Sequence, residues 1–350
     1  MKIAVKRAAT EIDEAGNVAG HEAGDTLTRR FLRIFPGAQI IGPERRAGNG
    51  FEVVPLSQID PRDTVIVNFD VYDSPTIWND LYLSTGHQPK VMNFLWWPLS
   101  QLETPAQQAT TALSCGLFPT FANSRRTAGE ITELVRRLTV QPIYEQMTLG
   151  WVNLGFRLDH VQQRRDTEVP IVEYPAIYLN SLKRPELFME ILERVHQRTP
   201  VQVEMRLEES NLVSEKAMRF SRLPWVWVGP LTSSRTSYWE ALSRTTALLA
   251  TASEESYGLA YVEALGAGVV GVFPDLDWAR AILPPEYPFF YQSKVEAEEM
   301  LYRAVTDPDG CRAEMDRAVG GSFVEWISQH HSDATFDREV QDFVAQTFAD

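Results

Sequence analysis

Short apolar runs alternate with segments of helical periodicity along most of the chain. In the first half, runs of about four to eight apolar residues are typical of buried parallel strands, and the segments between them repeat apolar residues every three or four positions, as helices do. Strand–helix–strand crossovers force neighbouring strands to run in the same direction, so this half predicts a parallel α/β domain. The predicted strands are KIAV, AQIIGP, DTVIVNF, KVMNFLWW and PTFAN, and the predicted helices are DTLTRRFLRIF, TPAQQATTALSCG and RRTAGEITELVRRL.

The same alternation resumes after a polar stretch, FRLDHVQQRRDTEVP, which predicts a linker. We therefore expect domains at residues 1–165 and 166–330, followed by a terminal helix at 331–350 whose apolar stripe docks on the N-terminal domain. The second domain is predicted from strands AIYLN, VQVEMRL, VWVG, ALLATA and VVGVF, from helices RPELFMEILERVHQ and TSYWEALSRT, and from a helix that begins near Gly258; the stripe of the terminal helix is Phe336, Val340, Phe343 and Val344.

Composition narrows the function classes. The 350 residues are 44% hydrophobic and 23% charged, which is typical of a globular chain. A formal net charge of -14 disfavours a protein whose whole surface grips phosphate backbone, although a local basic groove is compatible with it. The two cysteines lack the spacing of a zinc site or a disulfide framework, and no apolar run has the length of a membrane span. We expect a cytoplasmic protein without a membrane-spanning segment.

One carboxylate stands in a stripe that should be buried. If a helix begins near Gly258, Glu263 shares a face with apolar Leu259 and Val262. The loop before this helix follows a predicted strand, and ligands of parallel sheets bind beyond the carboxyl ends of strands. Glu263 therefore either accepts hydrogen bonds from a ribose diol, beside a diphosphate at the helix N-terminus, or forms a structural ion pair with an arginine.

The spacing of two glutamates resembles a family motif. Glu255 and Glu263 are separated by seven residues within EESYGLAYVEALGAG, which resembles the E-x7-E motif of retaining GT-B glycosyltransferases, particularly glycosyltransferase family 4. Ser256 and Tyr257 stand where that family usually has Gly and Phe. The segments LNSLKRPELFMEIL, VWVGPLTSSRTSYWEALSRTTALLATAS and TFANSRRTAGEI are also similar to family segments, so the resemblance covers roughly residues 119 to 310.

The resemblance implies an α/β protein of the GT-B class, with two Rossmann-like domains facing each other across a cleft and the C-terminal helix returning to the first. It also implies retaining transfer of a hexose, most plausibly glucose from UDP-glucose, to an acceptor hydroxyl, with no metal and no further cofactor. Glu263 would hold the ribose, Glu255 would contact the transferred sugar, and Lys183 would neutralise the leaving diphosphate. The remaining donor-site candidates are Tyr257, Gly258, Leu259 and Gly229.

One departure from the family and one loop add candidates to this donor site. The family usually carries an Arg before the lysine, whereas this chain reads YLNSLK, so Arg184 is the candidate substitute; solvated charges at the start of a helix are the alternative. The glycine-bearing loop GNVAGHEAGD follows the first strand, where the family places residues near the donor. His21 and Gly24 are therefore candidates there, and a plain connecting loop is the alternative.

The acceptor has no clear signature. Trp96 and Trp97 end a predicted strand, and Arg125 and Arg126 open a helix in the same domain. Together they would suit a flipped hydroxymethylated base and its phosphates, as in phage DNA glycosyltransferases with the GT-B fold. The alternative, which we favour, is that these tryptophans are core and these arginines are solvated. A nucleotide-binding or interaction protein that has lost activity is the third function class.

Two further patterns are expected to be incidental. The tripeptide DLD at 275–277 matches the D-x-D motif of metal-dependent GT-A transferases, but two carboxylates at this spacing arise often by chance. The adjacent His330 and His331 would point to different sides of a helix, which predicts a polar surface pair rather than a metal site.

Overall fold

The computed structural model describes residues 1–8, 10–20, 23–157, 160–231 and 235–349, and the chain divides into two compact units. Unit 1 is Met1–Asn153 with Thr335–Asp350, and unit 2 is Leu154–Ala334. The boundary lies earlier than the predicted 165/166, because residues that follow Asn153 already bond to unit 2. The Phe156 amide donates to the His331 carbonyl (2.9 Å), and the Arg165 amide donates to the Ser243 carbonyl (2.9 Å).

Unit 1 is built on a sheet whose described strands run in the order β3-β4-β2-β1-β5-β6-β7-β8, all pairs parallel except β3 with β4. The strands and helices predicted for this half are confirmed, whereas α2, α5, β3, β4 and β8 were not anticipated. The strands are β1 Lys2–Lys6, β2 Gln39–Ile41, β3 Arg46–Ala47, β4 Glu52–Val54, β5 Thr64–Asn68, β6 Lys90–Leu95, β7 Thr120–Ala122 and β8 Leu149–Trp151; the helices are α1 Ala23–Ile34, α2 Ser74–Thr85, α3 Pro105–Leu117, α4 Arg125–Leu138 and α5 Gln141–Glu145.

Unit 2 has a parallel sheet in the order β11-β10-β9-β12-β13-β14. One predicted strand is wrong: AIYLN is part of a loop, and the strand is the preceding Ile171–Tyr174, which Pro175 ends because proline cannot donate to the ladder. The strands are β9 Ile171–Tyr174, β10 Gln202–Leu207, β11 Val226–Pro230, β12 Ala247–Leu249, β13 Val270–Pro274 and β14 Phe290–Tyr291; the helices are α6 Pro185–Arg198, α7 Glu209–Leu212, α8 Glu215–Phe220, α9 Arg235–Arg244, α10 Leu259–Gly266, α11 Asp277–Arg280, α12 Lys294–Thr306, α13 Pro308–Val319 and α14 Phe323–His330.

The C-terminal helix α15, Asp333–Phe348, packs on unit 1 as its apolar stripe predicted. Phe336 is fully buried, and its ring meets those of Phe94 and Phe31 edge to face. The Arg30 guanidinium covers the Phe336 ring at 3.9 Å and pairs with Asp337 at 3.0 Å. Apolar burial and a covering ion pair therefore hold this helix in unit 1.

Arg164 joins the segment that enters unit 2 to the ends of two helices. Its guanidinium donates to the carbonyls of Thr245, Ala267 (3.2 Å) and Leu242 (3.5 Å), which lie at the C-termini of α9 and α10. Burial lowers the pKa of Arg164 to about 10, so the group stays charged at neutral pH. A cation at helix C-termini satisfies carbonyls that have no partner within the helix.

We expect Arg164→Ala to lower the free energy of unfolding by about 2 kcal/mol, because buried carbonyls lose charged donors. Chemical denaturation of the variant beside wild type measures this loss. Arg338→Ala, which removes an exposed arginine, is the control. Equal losses in the two variants would contradict the capping role of Arg164.

Candidate functional site

The predicted ligand loop lies between β12 and α10. The helix begins at Leu259 with Gly258 as its N-cap, which confirms the predicted start. Gly258 has a φ of +90°, and a Cβ atom there would lie 2.7 Å from Cδ2 of Tyr261, so glycine is required by conformation and by space. Among the residues that the structure describes, no side chain caps this helix start. Its first amide groups and the positive end of its dipole are suited to an anion.

Lys183 and Glu255 meet although they lie 72 positions apart in the chain. Lys183 lies in the loop from β9 to α6, and its Nζ is 2.5 Å from Oε1 of Glu255. The two loops are also tied by backbone groups: the Thr251 hydroxyl donates to the Lys183 carbonyl (2.8 Å), and the Ser253 amide donates to the Leu182 carbonyl (2.8 Å). The structure thus brings together the lysine and the first glutamate of the predicted donor site, at the carboxyl ends of β9 and β12.

Arg184 is held in an unusual backbone conformation beside this pair. Its φ of 48° is the only positive value for a non-glycine residue in the described part of the chain. It is the exposed N-cap residue of α6, and its charge acts on the nearby Tyr291 phenol. A left-handed non-glycine residue costs about 1–3 kcal/mol and persists where its surroundings fix it, often at functional sites.

Glu263 lies in the second turn of α10 and is only 5% exposed, as the hydrophobic pattern indicated. Its charge acts on Glu173 of β9. Burial, followed by the charges of Glu204 and Glu263, raises the pKa of Glu173 to about 8, and Arg206 opposes this shift. In the part of the chain that the structure describes, no hydrogen bond reaches the buried Oε2 of Glu173, which fits a carboxyl group that holds its proton.

Sequence reasoning missed Glu173 because it misplaced the strand. A glutamate within IVEY is a polar residue in a buried run, which is the kind of signal that singled out Glu263. On the neighbouring strand β10, Glu173 is paired with Glu204, and Glu204 is paired in turn with Trp227 on β11. This face of the sheet therefore carries ionisable groups close to the donor-site candidates.

Tyr257 and His331 overturn one expectation. His331 is not a surface residue: it is 1% exposed, and its Nδ1 shares a short hydrogen bond with the Tyr257 hydroxyl. Its Nε2 is 3.1 Å from the Ile282 carbonyl, which requires Nε2 to carry the proton and leaves Nδ1 as the acceptor. Burial lowers the pKa of His331 to about 4, so the ring is neutral at pH 7. Tyr257 thereby anchors the ligand loop, a role that phenylalanine could not fill.

The other donor-site candidates have plainer surroundings. Leu259 is the first residue of α10 and is partly buried. A Cβ on Gly229 would lie 2.2 Å from the Trp227 ring, and one on Gly24 would lie 2.4 Å from Nε of Arg7, so each glycine makes room for a large neighbour. His21 lies outside the described residues.

The acceptor candidates lie at the carboxyl ends of β6 and β7. The Trp96 indole N–H is buried and, among the residues described, meets no acceptor, whereas Trp97 packs against a cluster that includes Leu102 and Leu134. Arg125 is exposed, and Arg126 pairs with Glu130 at 2.7 Å. Trp97 is therefore half-buried against the core, and Arg125 is solvated, as the alternative expected.

The first aspartate of DLD, Asp275, serves the local structure. Asp275 pairs with Arg280 and accepts from Nε2 of Gln292 (2.9 Å). Across the described ranges, no three metal-ligating side chains gather closely enough to hold a metal ion. The helices within those ranges also lack the length and apolarity needed to cross a bilayer.

Solved structures share the fold along the whole chain. Sucrose-phosphate synthase from Thermosynechococcus elongatus superposes with a TM-score of 0.71 at 11% identity, over 99% of each chain. HepE from Anabaena, solved with UDP-glucose, gives 0.67 at 13% identity over 99% of this chain and 100% of that chain. The UDP-forming trehalose-phosphate synthase from Burkholderia xenovorans gives 0.64 at 10% identity over 98% and 100%.

Sequence comparison adds nothing to this likeness. No protein-family model and no curated protein matches the chain. Membership of glycosyltransferase family 4 therefore stays a prediction from the motif, while the parallel-sheet units and the structural likeness agree on the architecture. The chain has the GT-B fold of these glycosyltransferases.

Proposed function

We propose that this protein is a retaining glycosyltransferase that moves glucose from UDP-glucose to an acceptor hydroxyl without a metal ion. The observation that carries the proposal is the arrangement around the start of α10 in a GT-B fold. Lys183 and Glu255 meet beside this helix, and Glu263 is buried one turn further on. A cation and a helix N-terminus are suited to bind a diphosphate, and a carboxylate next to them is suited to bind the adjoining ribose.

Each group has a distinct task in this proposal. Lys183 and the first amides of α10 stabilise the diphosphate charge that grows as the bond to the sugar breaks. Glu263 accepts hydrogen bonds from the ribose hydroxyls, and Glu255 binds a hydroxyl of the transferred glucose. The acceptor oxygen forms its bond to the anomeric carbon on the face from which the diphosphate leaves, and a phosphate oxygen takes the acceptor proton. The protein then supplies position and charge rather than a nucleophile.

The choice of UDP-glucose rests on the structural relatives. HepE was solved with UDP-glucose, and the trehalose-phosphate synthase from Burkholderia xenovorans is UDP-forming. The acceptor is proposed to be a soluble hydroxyl compound, because Trp97 packs against a core cluster of unit 1 and Arg126 is already paired. Hydroxymethylated DNA is the alternative acceptor that the experiment includes.

Thermal shift with UDP-, GDP- and ADP-sugars, with and without EDTA, tests donor binding. A ligand at one hundred times its dissociation constant stabilises the folded state by about 2.7 kcal/mol, so binding is readily seen. UDP-glucose should raise the melting temperature equally with and without EDTA.

Transfer to candidate sugars and to hydroxymethylated DNA, with the product anomer read by NMR, then tests the reaction. If no nucleotide stabilises the protein, an inactive GT-B-like protein is the better description.

We expect Lys183→Ala to weaken UDP binding about 10-fold while leaving the binding of uridine unchanged, because a lysine acts on the phosphates as a point charge. Isothermal titration with both ligands measures this difference. Lys294→Ala is the control, since Lys294 is also an ion-paired lysine of unit 2 but lies at the start of α12. Equal losses for UDP and uridine would show a general disturbance of unit 2, and no loss for either would remove Lys183 from the site.

A further inference from the structure

Tyr261 is a buried side chain that contacts two residues of the ligand loop, Glu255 and Gly258. It is the third residue of α10 and is only 2% exposed. Its hydroxyl donates to Oε1 of Glu255 at 3.0 Å, the same oxygen that Lys183 contacts. Its ring lies close enough to Gly258 that a Cβ there would be 2.7 Å from Cδ2 of the ring. One side chain thus contacts the first glutamate of the motif and the glycine that begins the helix.

The position of this hydroxyl is fixed by packing. The Tyr261 ring packs against the rings of Trp278 (5.1 Å between centroids) and Phe273 (5.6 Å, edge to face). Trp278 is in turn held by its indole N–H, which donates to the Ala252 carbonyl in the loop that follows β12 (3.3 Å). Burial and the Glu255 charge raise the pKa of Tyr261 well above its usual value, so the hydroxyl keeps its proton and remains a donor.

We propose that Tyr261 is a positioning residue that holds the Glu255 carboxylate ready for the sugar when the donor phosphates draw Lys183 away. In the protein without donor, Glu255 is held by Lys183 and Tyr261 together. A diphosphate competes with Glu255 for the Lys183 ammonium, whereas the Tyr261 hydroxyl is buried beneath the loop and stays in place. The inference rests on the proposed function, because it assigns Glu255 to the sugar and Lys183 to the phosphates.

The test compares UDP-glucose with UDP, since Tyr261 should matter only for the ligand that carries a sugar. Tyr261→Phe keeps the ring and removes the hydroxyl. We expect its affinity for UDP-glucose to fall about 10-fold while its affinity for UDP changes by less than about twofold, because one hydrogen bond to a charged group is lost. Titration calorimetry measures both constants, and circular dichroism checks the fold.

Two further variants make the test specific. Tyr287→Phe removes another buried hydroxyl of unit 2, which donates to the Gly271 carbonyl (2.7 Å), and should leave both affinities unchanged. Tyr261→Phe added to Glu255→Gln should cost no more UDP-glucose affinity than Glu255→Gln alone, because Tyr261 acts through Glu255.

The outcomes separate this inference from the function on which it rests. If the wild type binds neither UDP-glucose nor UDP, the proposed function is overturned together with the inference. If the wild type binds both, and Tyr261→Phe loses affinity for both equally or for neither, only the positioning role is overturned. A loss confined to UDP-glucose, absent from Tyr287→Phe and not additive with Glu255→Gln, supports it.

Discussion

The free energy of unfolding should fall by about 1–2 kcal/mol as the pH rises from 6.5 to 8, and Glu173→Gln should remove most of that fall. In the folded protein the pKa of Glu173 is raised to about 8, above its ordinary value of 4.5. Between these values the folded state binds the proton and the unfolded state does not. Stability is therefore lost progressively as the pH rises from 4.5 through the folded pKa.

The window above pH 6.5 is chosen because His331 acts in the opposite direction below it. The pKa of His331 is lowered from 6.5 to about 4, so between these values the unfolded state binds more protons and stability rises with pH. Between pH 6.5 and pH 8 that contribution rises by only about 0.4 kcal/mol, as the unfolded-state imidazole loses its remaining proton, so the larger fall due to Glu173 stays visible.

Urea denaturation at pH 6.5 and pH 8, for wild type and Glu173→Gln, measures this change. Glu299→Gln is the control because Glu299 is an exposed glutamate of the same unit, at the surface of α12. The control should keep the wild-type pH dependence. If Glu173→Gln also keeps it, Glu173 is ionised in the folded protein, and its surroundings must supply a donor to its carboxylate.

Periodicity predicted much of the fold because buried strands and amphipathic helices alternate cleanly along this chain. It failed at the β9 strand, where AIYLN is as apolar as IVEY. The distinction depends on Pro175 and on neighbouring strands, which a local pattern does not contain. Because of that error, the loop between the strand and α6 was expected to be shorter than it is. The predicted strand limits therefore did not show that Lys183 could contact Glu255.

The donor-site glutamates could be found from sequence because spacing along one helix and its preceding loop is local. Their partners could not. Tyr261 occupies a position between the two glutamates that the motif leaves open, and its contact with Glu255 depends on the bend at Gly258. His331 bonds to Tyr257, which lies 74 positions away in the chain. The fact that His331 follows His330 therefore could not show that His331 is buried. Tertiary contacts of this kind carry no periodic signal.

Glu263→Gln should weaken UDP binding by about 10- to 100-fold with little loss of stability, if this carboxylate binds the donor ribose. The amide keeps the size of the side chain and one acceptor oxygen, but it loses the charge that strengthens hydrogen bonds from the ribose hydroxyls. The competing hypothesis, a buried structural ion pair, predicts a loss of stability of about 3–5 kcal/mol whether or not nucleotide is present.

Urea unfolding and UDP titration of Glu263→Gln beside wild type separate these hypotheses, with Glu299→Gln again as the control.

The structure adds a third readout, because the charge of Glu263 raises the pKa of Glu173. Removing that charge should bring the pKa of Glu173 below about 8 and narrow the pH range over which stability falls. One outcome is a narrower pH range of stability loss, an unchanged UDP affinity and a lower unfolding midpoint. It would mean that Glu263 acts on the charges of the sheet and does not bind the donor. A narrowed range with weakened UDP binding and wild-type stability would mean that one carboxylate binds the ribose and also helps to keep Glu173 protonated beneath it.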